Sequence, residues 1–221
     1  LMVTLAGEGV ARLDVARTTG SSTFLPRDVS QLVWSIGTLQ SDNFRLGDGL
    51  VSLIDAIGAY YLDGTTGGHQ QPFQRWSNAD LVQLSIALAH GRIDDIPLLR
   101  ALFREAHLRV DSQQGSTFHE WEVSVLLWVQ ARLFLKGEQG QEFQDFARAS
   151  PKWLMRRAQG VSSLEDIGIG AQEQANLAWS LTVLEEYDSP DTLALLKTIF
   201  KEAAAAGNKS EYIQLEHAHQ L

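Results

Sequence analysis

The sequence predicts an all-α fold, an α-solenoid of about four helical hairpin repeats of 44–51 residues each, and three observations carry the prediction. A twelve-residue block recurs four times: DVSQLVWSIGTL at 28–39, NADLVQLSIALA at 78–89, EVSVLLWVQARL at 122–133 and EQANLAWSLTVL at 173–184. Its apolar residues fall three and four apart, the period of one helix face. A second apolar, helix-patterned stretch follows each block, so the unit is a helix A and helix B pair.

The columns of the block justify the A helices. Aligned on Trp34, Leu84, Trp128 and Trp179, the repeats are 50, 44 and 51 residues apart. Two residues earlier stand Leu32, Val82, Leu126 and Leu177; two later Ile36, Ile86, Gln130 and Leu181; five later Leu39, Ala89, Leu133 and Leu184. This face is expected to be core, with the tryptophans buried between hairpins. Small residues three after the column (Gly37, Ala87, Ala131, Thr182) suit close helix approach. Asp28, Asn78, Glu122 and Glu173 open the blocks, where their oxygens can take unpaired N–H groups or oppose the macrodipole. Phe24, Phe118 and Ile169, each four residues ahead of the opening residue, and Phe73 with Trp76, are placed to staple the entering chain.

The B helices are expected over 50–62, 96–108, 141–159 and 192–206, after turns at Asp48-Gly49, His90-Gly91, Gly137 to Gly140 and Ser189-Pro190. The stretch 1–13 has B-helix spacing with no A helix before it, and 212–221 reads as a helix without a partner. The whole chain is therefore expected to be one solenoid over 1–221, a fragment of a longer array. Its parts are a half repeat at 1–23, repeats at 24–72, 73–117, 118–164 and 165–210, and a terminal helix at 211–221.

Composition narrows the function. The 221 residues are 44% hydrophobic, enough for a continuous core, and no stretch has the length and apolarity of a membrane span, so no membrane insertion is expected. With no cysteine, disulfides, thiolate metal sites and Cys nucleophiles are excluded. The formal charge of −9 is uneven: residues 161–221 carry −7, while 118–160 carry +1. Such a total disfavours nucleic acid as ligand, yet a local basic stripe can still hold phosphates. The candidates are Arg100, Arg104 and Arg109 on the second B helix and Lys152, Arg156 and Arg157 on the third; an ordinary solvated face is the competing account.

The blocks DVSQLVWSIGTL and EQANLAWSLTVL, and the passage from LMVTLAGEGVARL to FLPRDVSQLVWSIGTL, resemble the helical repeats of octotricopeptide-repeat proteins and of the related FAST-kinase-like and RAP-domain proteins. The resemblance spans almost the whole chain. It is strong in the first and fourth blocks and weak in the second, which has Leu84 where tryptophan is usual. It implies an α-solenoid that binds organellar RNA in its processing, stability or translation, in mitochondria or plastids, and membership of large assemblies such as a ribosome.

Repeat proteins that read one base per unit do so with two or three polar side chains on an exposed helix. The positions three before and one after the tryptophan column hold Gln31 with Ser35, Leu81 with Ser85, Val125 with Val129, and Asn176 with Ser180. Only Gln31 and Ser35, and Asn176 and Ser180, can both address a base edge. The apolar middle pairs suit a protein neighbour better, so a protein scaffold within a multi-subunit complex is the alternative function.

No catalytic constellation stands out, and no cofactor or metal site is expected. His217 and His219 lack a third ligand at a recognisable spacing, and Glu120 and Glu122 have no base or nucleophile beside them. Gly67-Gly68-His69 lacks the strand, helix and Lys of a phosphate cradle, and Asn208-Lys209-Ser210 is a bare glycosylation triplet. A non-enzymatic binding module is the expectation.

Overall fold

The computed structural model describes residues 2–19, 25–40, 48–62, 73–112 and 118–207. These residues are all-helical, with no strand among them, and hold nine α-helices: α1 (Met2–Thr19), α2 (Pro26–Gln40), α3 (Asp48–Leu62), α4 (Asn78–Gly91), α5 (Ile96–Asp111), α6 (Glu120–Arg132), α7 (Gln141–Arg157), α8 (Ala171–Val183) and α9 (Pro190–Gly207). A 3-10 turn at Glu165–Ile167 leads into α8. Helices α2 and α4 contain the first two blocks, and α6 and α8 the other two up to their last residues, Leu133 and Leu184, which follow the helices as caps. The expected terminal helix at 211–221, and Phe24 among the staples, lie outside the described residues.

The chain divides into two compact units, Leu1–Glu105 and Ala106–Leu221. In the first, α2 packs along α4 and α1 along α3, while α1 and α3 also touch α2. A helices thus lie beside A helices and B helices beside B helices, the two-layer packing of a solenoid. The same arrangement recurs in the second unit, where α6 packs along α8 and α7 along α9, and α6–α7 and α8–α9 are hairpins. Helix α1 therefore takes the place of a B helix. A Cβ on its Gly9 would stand 2.7 Å from Leu32 Cδ2 and 2.9 Å from Leu53 Cδ1, so the bare backbone lets α1 approach both neighbours.

Local signals start each A helix. Pro26 fills the first position of α2, and the Leu25 N–H donates to Asp28 Oδ2 at 3.0 Å. At α4 the cap is Ser77: the Asp80 N–H donates to its hydroxyl at 3.1 Å, and that hydroxyl donates to Asp80 Oδ2 at 2.6 Å. At α6 the His119 N–H donates to Glu122 Oε2 at 2.8 Å. At α8 the Glu173 carboxylate folds back over Gly170, 3.1 Å from where a Cβ would stand. Asp28, Asp80, Glu122 and Glu173 are therefore one structural column, an acid three residues inside the cap.

That column corrects the alignment of the second block. With Asp80, not Asn78, opposite Asp28, the leucine column becomes Leu32, Leu84, Leu126 and Leu177. Ile86, not Leu84, then takes the tryptophan position. Burial agrees: Val29, Ser30, Val33 and Ile36 are buried in α2, as are Leu81, Val82, Ser85 and Leu88 in α4. The loops move as well, since Asp48 and Gly49 lie inside α3 and His90 and Gly91 inside α4 rather than in turns.

Buried polar contacts pin neighbouring segments. The Ser30 hydroxyl, in α2, donates to Asp80 Oδ1 of α4 at 3.0 Å. Gln130, polar in an otherwise apolar column, donates through Nε2 to the carbonyls of Leu135 and Phe143 at 2.9 and 3.0 Å, tying the end of α6 to the loop and to α7. Glu202 of α9 accepts from the Leu164 N–H and from Gln174, holding the strap between α7 and α8. Ahead of α4, Tyr61 stacks on Phe73, and both rings meet Trp76 edge-on. Phe118 and Ile169 are likewise buried at the A-helix entrances.

Candidate nucleic-acid interface

The expected burial of the tryptophan column is overturned. Trp34 is 40% and Trp179 42% exposed, and Trp128 is half-buried; only Leu84, which belongs to a different column, is fully enclosed. Within each unit the two A helices pack on one another, and α2, α6 and α8 also meet the B layer, which leaves an outward stripe. Its residues recur with spacings of four, three and four, a mean near the 3.6 of the helix. In α2 they are Arg27, Gln31 and Trp34, and in α4 Ala79, Gln83, Ile86 and His90, none of them buried. In α6 they are Trp121, Val125, Trp128 and Arg132, and in α8 Gln172, Asn176, Trp179 and Val183.

The expected base-reading pairs separate on this geometry. Gln31 and Asn176 belong to the outward stripe, Gln31 exposed and Asn176 half-buried with its Oδ1 accepting from Gln172 Nε2 at 3.1 Å. The position one after the tryptophan lies about 100° further round the helix. There Ser180 is buried and donates to the Asn176 carbonyl at 2.6 Å, Val129 is buried too, and Ser35 is exposed; Ser85, one before the column once Ile86 fills it, is buried and donates to the Leu81 carbonyl at 2.7 Å. Gln83 and Gln172, missed in the sequence, join the stripe instead. The repeated D-x-x-Q-L of Asp28 to Leu32 and Asp80 to Leu84 is the signal that would have found Gln83.

The cations divide too. Arg100 and Arg104 are exposed on α5 and engaged in interactions of their own, as is half-buried Arg109. Arg157 donates to buried Glu120 at 2.6 Å and lies 5.8 Å over the Trp153 ring, so its charge is already directed inward. Lys152 and Arg156 stay exposed on α7, in line with Arg148, which pairs with Glu186 at 3.2 Å.

The neighbouring helix adds two cations that sequence reasoning missed. Phe143, Phe146, Ala147 and Ser150 of α7 are buried in the same order as Thr192, Leu195, Leu196 and Ile199 of α9, a constant offset of 49 residues. On that offset Arg148 corresponds to Lys197 and Lys152 to Lys201, and both lysines are exposed. The outer face of the α7–α9 pair therefore carries Arg148, Lys152, Arg156, Lys197 and Lys201. Along each helix the cations repeat every four residues, a rise of about 6 Å. The i, i+4 spacing of Lys197 and Lys201 stands in the sequence, within a stretch whose total charge is strongly acidic.

Among the described residues no group of three His, Asp or Glu side chains stands close enough to hold a metal ion. His217 and His219 lie outside them. No helix among the described residues is long and apolar enough to cross a membrane. Comparison of the chain with protein-family models, with curated proteins and with solved structures finds no match.

Proposed function

We propose that this chain is a non-enzymatic helical-repeat module that binds RNA, with the phosphate backbone held on the outer face of α7 and α9. The observation that carries the reading is the exposed cation group of Lys152 and Arg156 on α7 with Lys197 and Lys201 on α9, Lys152 and Lys201 at equivalent positions, in a chain whose formal charge is −9. Solvated lysines scattered at random need not align across two helices; a track for a polyanion must. The resemblance to octotricopeptide-repeat proteins supports the same class of ligand and adds an organellar setting, in mitochondria or plastids, within a ribosome or another large assembly.

The test is a titration of single-stranded RNA at several salt concentrations against the parent and a variant with Lys152, Arg156, Lys197 and Lys201 all changed to Gln. Each lost phosphate contact should lower the slope of log K against log salt by about 0.7. Equal slopes, or no binding at low salt, would remove the reading. A protein-scaffold function is the second reading, and a specific residue favours it. Phe200 of α9 is 62% exposed at the position where α7 has buried Pro151. An apolar ring so placed suits a protein surface.

A further inference from the structure

We infer that the outward stripe of α6 and α8 is a stacking surface for unpaired nucleobases, separate from the cation stripe on the α7–α9 layer. Three indoles stand on it. Trp121 and Trp179 are 43% and 42% exposed, and Trp128 is half-buried between them in the sequence of columns. Trp121 and Trp128 are seven residues apart on one helix, a rise of about 10 Å. Trp128 and Trp179 occupy equivalent positions on packed neighbours, whose axes in such contacts lie about 8–10 Å apart. Of the three, Trp121 and Trp179 are the exposed rings, and each can take one base.

An exposed tryptophan costs solubility and contributes little to a core, so two on one stripe call for a ligand with flat apolar faces. The polar residues of the stripe say which. Asn176 stands one turn before Trp179 and Gln172 one turn before that, with the Gln172 amide donating to the Asn176 oxygen; an amide beside an aromatic ring is the pairing that reads base edges. Arg132 closes the α6 end of the stripe. No carboxylate occurs at the eight outward positions of α6 and α8, although the chain has 27 acidic residues. A peptide partner would be served as well by acids; a polyanion would be repelled by them. Val125 and Val183 give apolar contact without reading anything, so the surface tolerates different bases, with selectivity concentrated next to Trp179.

The chain in the first unit repeats the chemistry with fewer rings. There Trp34 is accompanied by Gln31, Gln83 and Arg27, and again the outward positions of α2 and α4 hold no carboxylate. Three of the four positions in this column are thus tryptophan, and two of those, Trp34 and Trp179, are exposed. The core accounts for the leucine column two residues earlier, which is enclosed in α4, α6 and α8, but not for the indoles.

The test uses the whole chain and a twelve-nucleotide oligoadenylate, with a twelve-base-pair RNA duplex as control, in 0.5 M salt so that phosphate contacts are screened. Stacking on an exposed ring is expected to quench tryptophan emission with the oligoadenylate and not with the duplex, whose bases are already stacked. Trp179→Leu should weaken oligoadenylate binding roughly tenfold with an unchanged melting temperature, and Trp179→Tyr should restore most of it. Trp121→Leu should act likewise. Oligoadenylate affinity indifferent to both leucine variants, or equal to that of the duplex, would overturn the inference. So would loss of affinity only together with loss of the melting transition, in which case the tyrosine variant would show no rescue. Failure of the cation stripe alone would leave the high-salt quenching intact, so the two readings fail separately.

Discussion

The Ser30 hydroxyl donates to the Asp80 carboxylate at 3.0 Å, joining two A helices whose contacting residues are 50 apart in the chain. Asp80 also takes the Ser77 hydroxyl and belongs to the cap of α4. One carboxylate thus starts a helix and binds it to its predecessor. Asp80→Ala should cost about 2 kcal/mol, the sum of a cap and a buried hydrogen bond. Asp80→Asn, which keeps one acceptor oxygen, should cost less. Urea denaturation midpoints check both, and equal midpoints for the alanine variant and the parent would show that the contact is idle.

Gln130→Leu keeps the side chain's bulk but withdraws two donors from the Leu135 and Phe143 carbonyls. A loss of about 1–3 kcal/mol is expected, because two buried hydrogen bonds are given up. Amide hydrogen exchange should then quicken first at 133–144. A variant more stable than the parent would mean that the apolar gain outweighs those bonds.

Trp179→Ala should cost under about 1 kcal/mol, whereas Leu177→Ala, fully enclosed two residues away, should cost about 2–5 kcal/mol. The ordering is the prediction. Thermal melts of the two variants settle it, and the reverse ordering would return the tryptophan column to the core.

Burial raises the pKa of the Tyr61 hydroxyl well above the usual tyrosine range, with the neighbouring Tyr60 adding to the shift. A raised folded value means that the folded state holds its proton more tightly. That contribution is complete below pH 10 and is lost as pH climbs beyond it. Stability should therefore fall above pH 10, and more shallowly in Tyr61→Phe. Identical alkaline profiles for the two proteins would assign the loss to other groups.

Most of the helices could be read from the sequence because local chemistry sets them. The apolar period fixed the existence of all four A helices, and the acid three residues into Asp28, Glu122 and Glu173 marked their starts. Misreading arose at Asn78, where a polar residue two positions early competed with Asp80 as the opening residue, and periodicity does not separate a shift of two when Leu84 and Ile86 are both apolar. The fate of the tryptophans was not legible for a different reason. Residue type says that an indole is apolar, but a helix held on several sides has one open stripe, and only packing decides whether position 179 or position 180 falls on it. Lys197 and Lys201 were written plainly as an i, i+4 pair. Their alignment with Arg148 and Lys152 depends on the offset at which α9 settles against α7, which no single helix records.

The acid column has a consequence for how the chain comes to be folded. Helices α2, α4 and α6 each carry their own start signal, with donor and acceptor three residues apart, so none of them waits on a distant segment to define where it begins. Contacts of short sequence separation favour rapid folding, and a repeat that specifies its own boundaries can nucleate wherever it is first made. For a chain emerging from the ribosome, this means that successive hairpins can set their register in order of synthesis. An inserted or deleted loop residue between hairpins then displaces a linker and leaves the register within each helix untouched.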